Sequence, residues 1–199
     1  MLAFDAETHV YMVNGRAVPS VTQLLERHGL VNTEWFTDEA RARGTAVHAA
    51  IHYLDEGTLD WDSVDPRIKG YLCAYERFVY ETQFESYISE RPLASAKYHY
   101  AGTLDRLGWL HKLLTLIDFK SGKHVAANEI QLEFYRRLCI ENHDELGLSP
   151  NEHIGMQIVE LREDGKYKLP PAIIQPHRLQ AITNSILTLN LFRKEMEAA

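Results

Sequence analysis

The sequence predicts a mixed α/β (α+β) fold, in which one central mixed β-sheet is flanked by helices and preceded by an N-terminal hairpin and helical segment. Three observations predict it. After an N-terminal hairpin, helical periodicity runs to about residue 84, gives way to strand-like runs over 86–91, 95–108 and 113–120, and returns near the end. Asn14-Gly15 and Asp164-Gly165, pairs favoured in tight turns, each separate two strand-like runs. The chain has 199 residues, 45% hydrophobic and 25% charged, which suits a single globular domain over 1–199.

Residues 4–18 read as a hairpin, with His9, Val10, Tyr11, Met12 and Val13 in strand and Asn14-Gly15 in a type I′ turn. Pro19-Ser20 opens a helix that ends near Gly29; Ser20 is a favourable N-cap and Gln23 completes a capping box. A second helix covers 37–56. Asp38 caps it or lies in its first turn, Ala40, Val47, Ile51 and Leu54 recur at helical spacing, and Gly57 stops it. Pro66 opens a third helix whose Tyr71, Tyr75, Phe78 and Tyr80 read as a packing stripe. After the three strands come a helix over 125–143, a loop near 145–152 and a strand over 153–162. A short partner strand at 167–170 follows, then a closing helix from Pro176 with Ile182, Ile186, Leu189 and Phe192 on one face. No internal repeat or low-complexity tract interrupts this order.

Composition excludes several classes. No apolar run approaches the roughly 20 residues of a membrane span, so no membrane partner is expected. The start has no basic region before an apolar core, which predicts no cleaved secretion signal. Two cysteines, Cys73 and Cys139, cannot make a four-cysteine zinc or iron–sulfur site and fit a reducing compartment. Net charge is −7, from 28 acidic and 21 basic residues, which argues against a protein that coats DNA by bulk charge.

The informative stretch is Gly102-Thr103-Leu104-Asp105 followed by Leu116-Ile117-Asp118-Phe119-Lys120. In a hairpin with His111-Lys112 at its tip, Asp105 and Asp118 are equally far from the tip and face each other. Opposed carboxylates repel, and a divalent cation between them reverses the sign. Hard oxygen ligands suit Mg²⁺ or Mn²⁺. Lys120 shares a strand face with Asp118, because side chains alternate along a strand. Phe119 points away, with its carbonyl free to face the metal. A lysine beside a metal-bound water helps orient or activate it and stabilises negative charge in the transition state. The plain alternative is an Asp–Lys pair on a sheet surface. Glu90, on the preceding strand, reads equally as an extra acidic group or a surface glutamate.

Gly44-Thr45-Ala46-Val47-His48, Gly102-Thr103-Leu104-Asp105, Asp118-Phe119-Lys120 and Gln131-x-x-x-Tyr135 together resemble the PD-(D/E)XK nuclease superfamily. More narrowly, they resemble its RecB-type exonuclease branch. Pro19-Ser20-Val21-Thr22 also resembles an N-terminal motif of phage-encoded and mitochondrial exonucleases. The matching blocks span roughly residues 9–135. The resemblance implies a restriction-endonuclease-like core. It implies His48, Asp105 and Asp118 as metal ligands, Lys120 as the catalytic lysine, and Gln131 and Tyr135 as residues that support the site and contact DNA. The i,i+4 spacing of Gln131 and Tyr135 independently puts them on one helix face. Some members of the branch carry an iron–sulfur cluster; with two cysteines, none is expected here. His48 and His52 have the spacing of a zinc protease, but Ala49 stands where that motif needs glutamate.

Ser20 and Thr22 offer hydroxyls and helix N-terminal amides to a phosphate. Arg41, Arg43, Arg106, Lys123, His124, Arg136 and Arg137 are further candidate phosphate contacts. Trp35, Tyr53 and Trp61 are candidates for stacking on unpaired bases. The expected activity is therefore a Mg²⁺- or Mn²⁺-dependent deoxyribonuclease, more an exonuclease than an endonuclease. The resemblance places it in phage or prophage recombination or DNA end processing, in the host cytoplasm, with DNA and a possible recombination or replication protein as partners. No Walker P-loop is present, so any motor is a separate protein. The rival class is a non-catalytic DNA-binding module on a nuclease fold, which would not require Asp105, Asp118 and Lys120 together.

Overall fold

The computed structural model describes residues 2–5, 8, 10–31 and 37–198. His9 and Trp35 lie outside them. The chain begins with three short strands, β1 (Leu2–Asp5), β2 (Val10–Val13) and β3 (Arg16–Val18), in one antiparallel sheet. The expected hairpin is β2–β3. Asn14 and Gly15 both take positive φ, 50° and 77°, as a type I′ turn requires. β1 adds a strand that the sequence reading ran together with β2.

Helix α1 (Val21–Arg27) carries the expected capping box: the Gln23 N–H donates to Ser20 Oγ at 3.1 Å, and the Ser20 N–H donates to Gln23 Oε1 at 2.9 Å. In α2 (Asp38–Asp55) the N-cap is Thr37, and Asp38 lies in the first turn. α3 (Pro66–Thr82) is capped by Asp65. It buries Tyr71, Tyr75 and Phe78, whereas Tyr80 is 79% exposed and drops out of the packing stripe.

A five-stranded sheet follows, in the order β4 (Glu85–Ser95), β5 (Tyr100–Leu110), β6 (Leu113–Lys120), β7 (Gly155–Leu161), β8 (Tyr167–Lys168). β4, β5 and β6 are consecutive antiparallel neighbours, β7 runs parallel to β6, and β8 returns antiparallel. α4 (Ala126–Glu141) makes the crossover that a parallel β6–β7 pair needs. β4 continues past the expected strand through Pro92, which is tolerated because β4 is an edge strand. α5 (Pro176–Ala198) closes the chain.

Two apolar cores lie on opposite faces of this sheet. α1, α4 and α5 supply one, through Val21, Leu24, Phe134, Leu138 and Ile186 against Leu107 and Leu116. α2 and α3 supply the other, through Val47, Ile51, Leu72 and Phe78 against Ile117, Phe119 and Val159. The buried side of α5 runs through Leu179, Thr183, Ile186, Leu187 and Asn190. Of the apolar face expected for α5, Leu189 and Phe192 are exposed. Thr183 and Asn190 can be buried instead because each donates to a carbonyl, that of Leu179 at 2.9 Å and that of Tyr98 at 2.9 Å.

The N-terminal sheet docks on β5. The Ala101 N–H donates to the Pro19 carbonyl at 3.0 Å, and the Tyr11 and Thr103 hydroxyls hydrogen-bond at 2.8 Å. Gly102 lies under the Tyr135 ring; a Cβ there would fall 2.5 Å from Tyr135 Cε1 and 3.0 Å from Val21 Cγ2. Among the described residues, no helix is long and apolar enough to cross a membrane.

Candidate metal centre

The β5–β6 hairpin turns at His111 and Lys112, with φ of 49° and 67°. Its ladder runs from Leu110↔Leu113 to Arg106↔Ile117 and stops one step short of the two aspartates. Asp105 and Asp118 are therefore the next opposed pair, as counting from the tip predicts. In place of a ladder bond, the Phe119 N–H donates to Asp105 Oδ2 at 3.1 Å. On the other side of β5, Ser89 pairs with Arg106 and Arg91 with Leu104, which sets Glu90 opposite Asp105. Glu90, Asp105 and Asp118 thus form a row across three adjacent strands. Glu90 has a φ of 46°, an uncommon conformation for a non-glycine residue and one that tends to mark functional sites.

His48, on α2, completes the group. Its Nδ1 is 3.5 Å from Asp105 Oδ2. One ligand atom each from His48, Glu90 and Asp105 lie within 4.8 Å of one another. Asp118 sits on the far side of Asp105 from this trio in the sheet. Its Oδ2 is 2.8 Å from Lys120 Nζ, an ion-pair contact without hydrogen-bond alignment. Lys120 Nζ also donates to Gln131 Oε1 at 3.4 Å, and Gln131 Nε2 donates to the Tyr135 hydroxyl at 3.1 Å.

Burial is the largest influence on Asp118 and pushes its carboxyl up. Lys120 opposes this and the Asp105 charge adds to it; the net position is about 7. Burial also pulls the Lys120 ammonium down, but Asp118 and Asp105 together outweigh it, and Lys120 stays charged. Burial and the neighbouring aspartates hold the Tyr135 hydroxyl far up, so it remains protonated.

The residues fit a divalent ion. One ligand atom each from His48, Glu90 and Asp105 lie within 4.8 Å of one another, a spacing that one ion can bridge, whereas the buried Asp118 Oδ2 is already paired with Lys120 Nζ at 2.8 Å. The donor set is carboxylate oxygen with one imidazole nitrogen, which suits Mg²⁺ or Mn²⁺ rather than a thiophilic metal. The Phe119 side chain is buried in the α2–α3 core. Its carbonyl shares a strand edge with its N–H, and that edge faces Asp105. His52 turns to Glu56, at 3.4 Å, instead of joining His48.

Several candidate DNA contacts are corrected. Arg106 cannot reach a phosphate: its side chain is 1% exposed and is held by Asp55 and Glu90 on the α2–α3 side of the sheet. His124 is buried, with Nε2 3.0 Å from Glu129 Oε1. Arg136 is bound to Glu133 through Nε at 2.7 Å and Nη2 at 2.9 Å. Arg137 is held by the same glutamate at 2.9 Å and by Asn184 at 2.8 Å. These arginines leave α4 on a different side from Gln131 and Tyr135. The Ser20 amide and the Gln23 amide are consumed by the capping box, so α1 has less to offer an anion than expected. Thr22, Arg41 and Lys123 remain exposed. Arg43 is half-buried, with its guanidinium 5.8 Å from the Tyr71 ring centre. Tyr53 is exposed, and Trp61 packs partly against the α2–α3 core.

The signal that identifies Glu90 was present in the sequence, since it is the acidic residue that register places opposite Asp105. The register shift between Ser86 and Ile88 displaces that count by one. Neither a protein-family model nor a curated protein matches the chain.

Proposed function

We propose that this chain is a Mg²⁺- or Mn²⁺-dependent deoxyribonuclease that digests DNA from its ends, as the motifs it shares with RecB-type exonucleases imply. The observation that carries the reading is the clustering of His48, Glu90 and Asp105, with the Asp118–Lys120 pair beside Asp105. Binding alone requires no lysine paired with a buried carboxylate beside such a cluster. His48, Glu90, Asp105 and Asp118 would hold the ion. When bound, the ion supplies Lewis-acid polarisation of the phosphate and a more acidic water. Lys120, fixed by Asp118 and Gln131, presents a permanent positive charge to the negative charge that develops at phosphorus. Its raised pKa favours this electrostatic role over that of a base. Tyr135 and Gln131 orient the lysine. Lys123, Thr22 and Arg41 are exposed for backbone contact. A role in phage or prophage recombination or end processing, in the host cytoplasm, accords with this chemistry.

The test is digestion of end-labelled linear DNA and a closed circle with Mg²⁺, Mn²⁺ or EDTA. Linear DNA is expected to be degraded and the circle spared, with no cleavage in EDTA. Asp118→Asn should abolish cleavage, and Lys120→Ala should slow it by about 100- to 1,000-fold. Variants that both cut like the parent would remove the site from the reaction. Nicking of the circle would make the enzyme an endonuclease.

A further inference from the structure

We infer that Arg106 is a positioning residue: a buried internal cation that fixes Glu90 as the third ligand, beside His48 and Asp105, for one divalent ion. The inference rests on the metal-site reading above. Arg106 Nη1 donates to Glu90 Oε1 at 3.2 Å and to the Asp105 carbonyl at 2.8 Å, and Nε donates to Asp55 Oδ2 at 2.9 Å. The Tyr75 hydroxyl donates to the other oxygen of Asp55. Asp55 lies two helical turns after His48 on α2, so the two fall on nearly one face. One guanidinium therefore ties together the helix that carries His48, the strand that carries Glu90 and the backbone of Asp105.

Burying a charge this deeply is a poor way to stabilise a fold, because desolvation offsets most of the attraction. An apolar side chain beside its cross-strand partner Ile117 would carry no such cost. The arginine does something an apolar residue cannot. It holds Glu90 in its left-handed conformation and supplies a fixed positive charge to an acidic row. When all four acids are ionised and His48 is neutral, the Lys and Arg side chains paired with Asp55, Glu90, Asp105 and Asp118 among the described residues are Arg106 and Lys120, which leaves a deficit of two charges. One divalent ion fills that deficit. Burial opposes the Arg106 charge, but Asp55, Tyr75 and Glu90 outweigh it.

The test is Mn²⁺ binding to the full chain, read from the paramagnetic resonance of free Mn²⁺, with circular dichroism as a check on folding. The parent is expected to bind one ion. Glu90→Gln and Arg106→Lys should each weaken binding by between about 10- and 100-fold, the range for ligands and their supporting partners. The double variant should be no weaker than Glu90→Gln alone, because the arginine acts through the glutamate. If Arg106→Lys fails to fold, Asp55→Asn replaces it, with a smaller loss and the same non-additivity. Losses that multiply in the double variant would overturn the inference and leave the nuclease reading intact. Non-additive losses in a parent that binds Mn²⁺ but never cuts DNA would support the inference and sink the nuclease reading. A parent that binds no Mn²⁺ would overturn both.

Discussion

Asp118 has a side chain 5% exposed and a carboxyl near 7, against 3.8 for an ordinary aspartate. The folded chain therefore holds this proton more tightly than the unfolded chain does. Stability from this group is fully present below about pH 4 and is lost as the pH rises through about 7. Metal-free protein should accordingly melt lower at pH 8 than at pH 6, and Asp118→Asn, which cannot ionise, should flatten that slope in a calorimetric series. A metal bound as proposed would act in the opposite direction, because binding needs the ionised form. Mg²⁺ or Mn²⁺ should raise the melting temperature more at pH 8 than at pH 5.5. An unchanged slope in the asparagine variant would count against the burial argument. Asp105, Asp118 and Lys120 were legible in the sequence because the turn at His111-Lys112 fixes their register. Arg106 was misread because adjacency to a proposed ligand, Asp105, suggested a phosphate contact. Alternation instead sends it to the opposite face, where α2 and α3 exclude solvent.

Element boundaries followed local chemistry where that chemistry was strong. The Asn14-Gly15 turn, the Ser20 capping box and the Pro66 start all stand where the sequence placed them. The β5–β6 turn is different, because His111 and Lys112 both take positive φ without being glycine or asparagine. Lys112→Gly should raise stability in urea by about 1 kcal/mol. Gly102 is the converse case. Alanine there would meet Tyr135 and Val21, so Gly102→Ala should destabilise by roughly 1–3 kcal/mol and shift Tyr135 away from Gln131. A full-length, equally stable Gly102→Ala protein would show that the contact relaxes easily. The exposed Leu189 and Phe192 on α5 were not foreseeable from periodicity, since polar Thr183 and Asn190 take buried positions by bonding to backbone.

For the whole molecule, the order of helices and strands and the mixed sheet were legible, because turn pairs and changes of period mark them. The docking of the N-terminal sheet on β5 was not. It depends on long-range contacts such as Tyr11 with Thr103, which no local pattern encodes. Charge shows the same division. The net charge of −7 gave no warning that Arg106, Arg136 and Arg137 are committed to internal carboxylates. With those withdrawn, the candidate cations left for the proposed DNA contact are chiefly Lys123, Arg41 and Arg43. Binding of labelled DNA by Asp118→Asn protein in a KCl series should give a log–log slope of about −2 to −3, and Lys123→Ala should reduce its magnitude by about 1. A slope of about −6 or steeper would mean a basic surface elsewhere.

The left-handed backbone at Glu90 has an evolutionary corollary. Glycine or asparagine would occupy that conformation with less strain. A library evolved for heat resistance alone, with no demand on cleavage, should therefore drift at position 90 toward those residues. Position 106 should keep its arginine as long as Asp55 stays, and lose it only together with that aspartate.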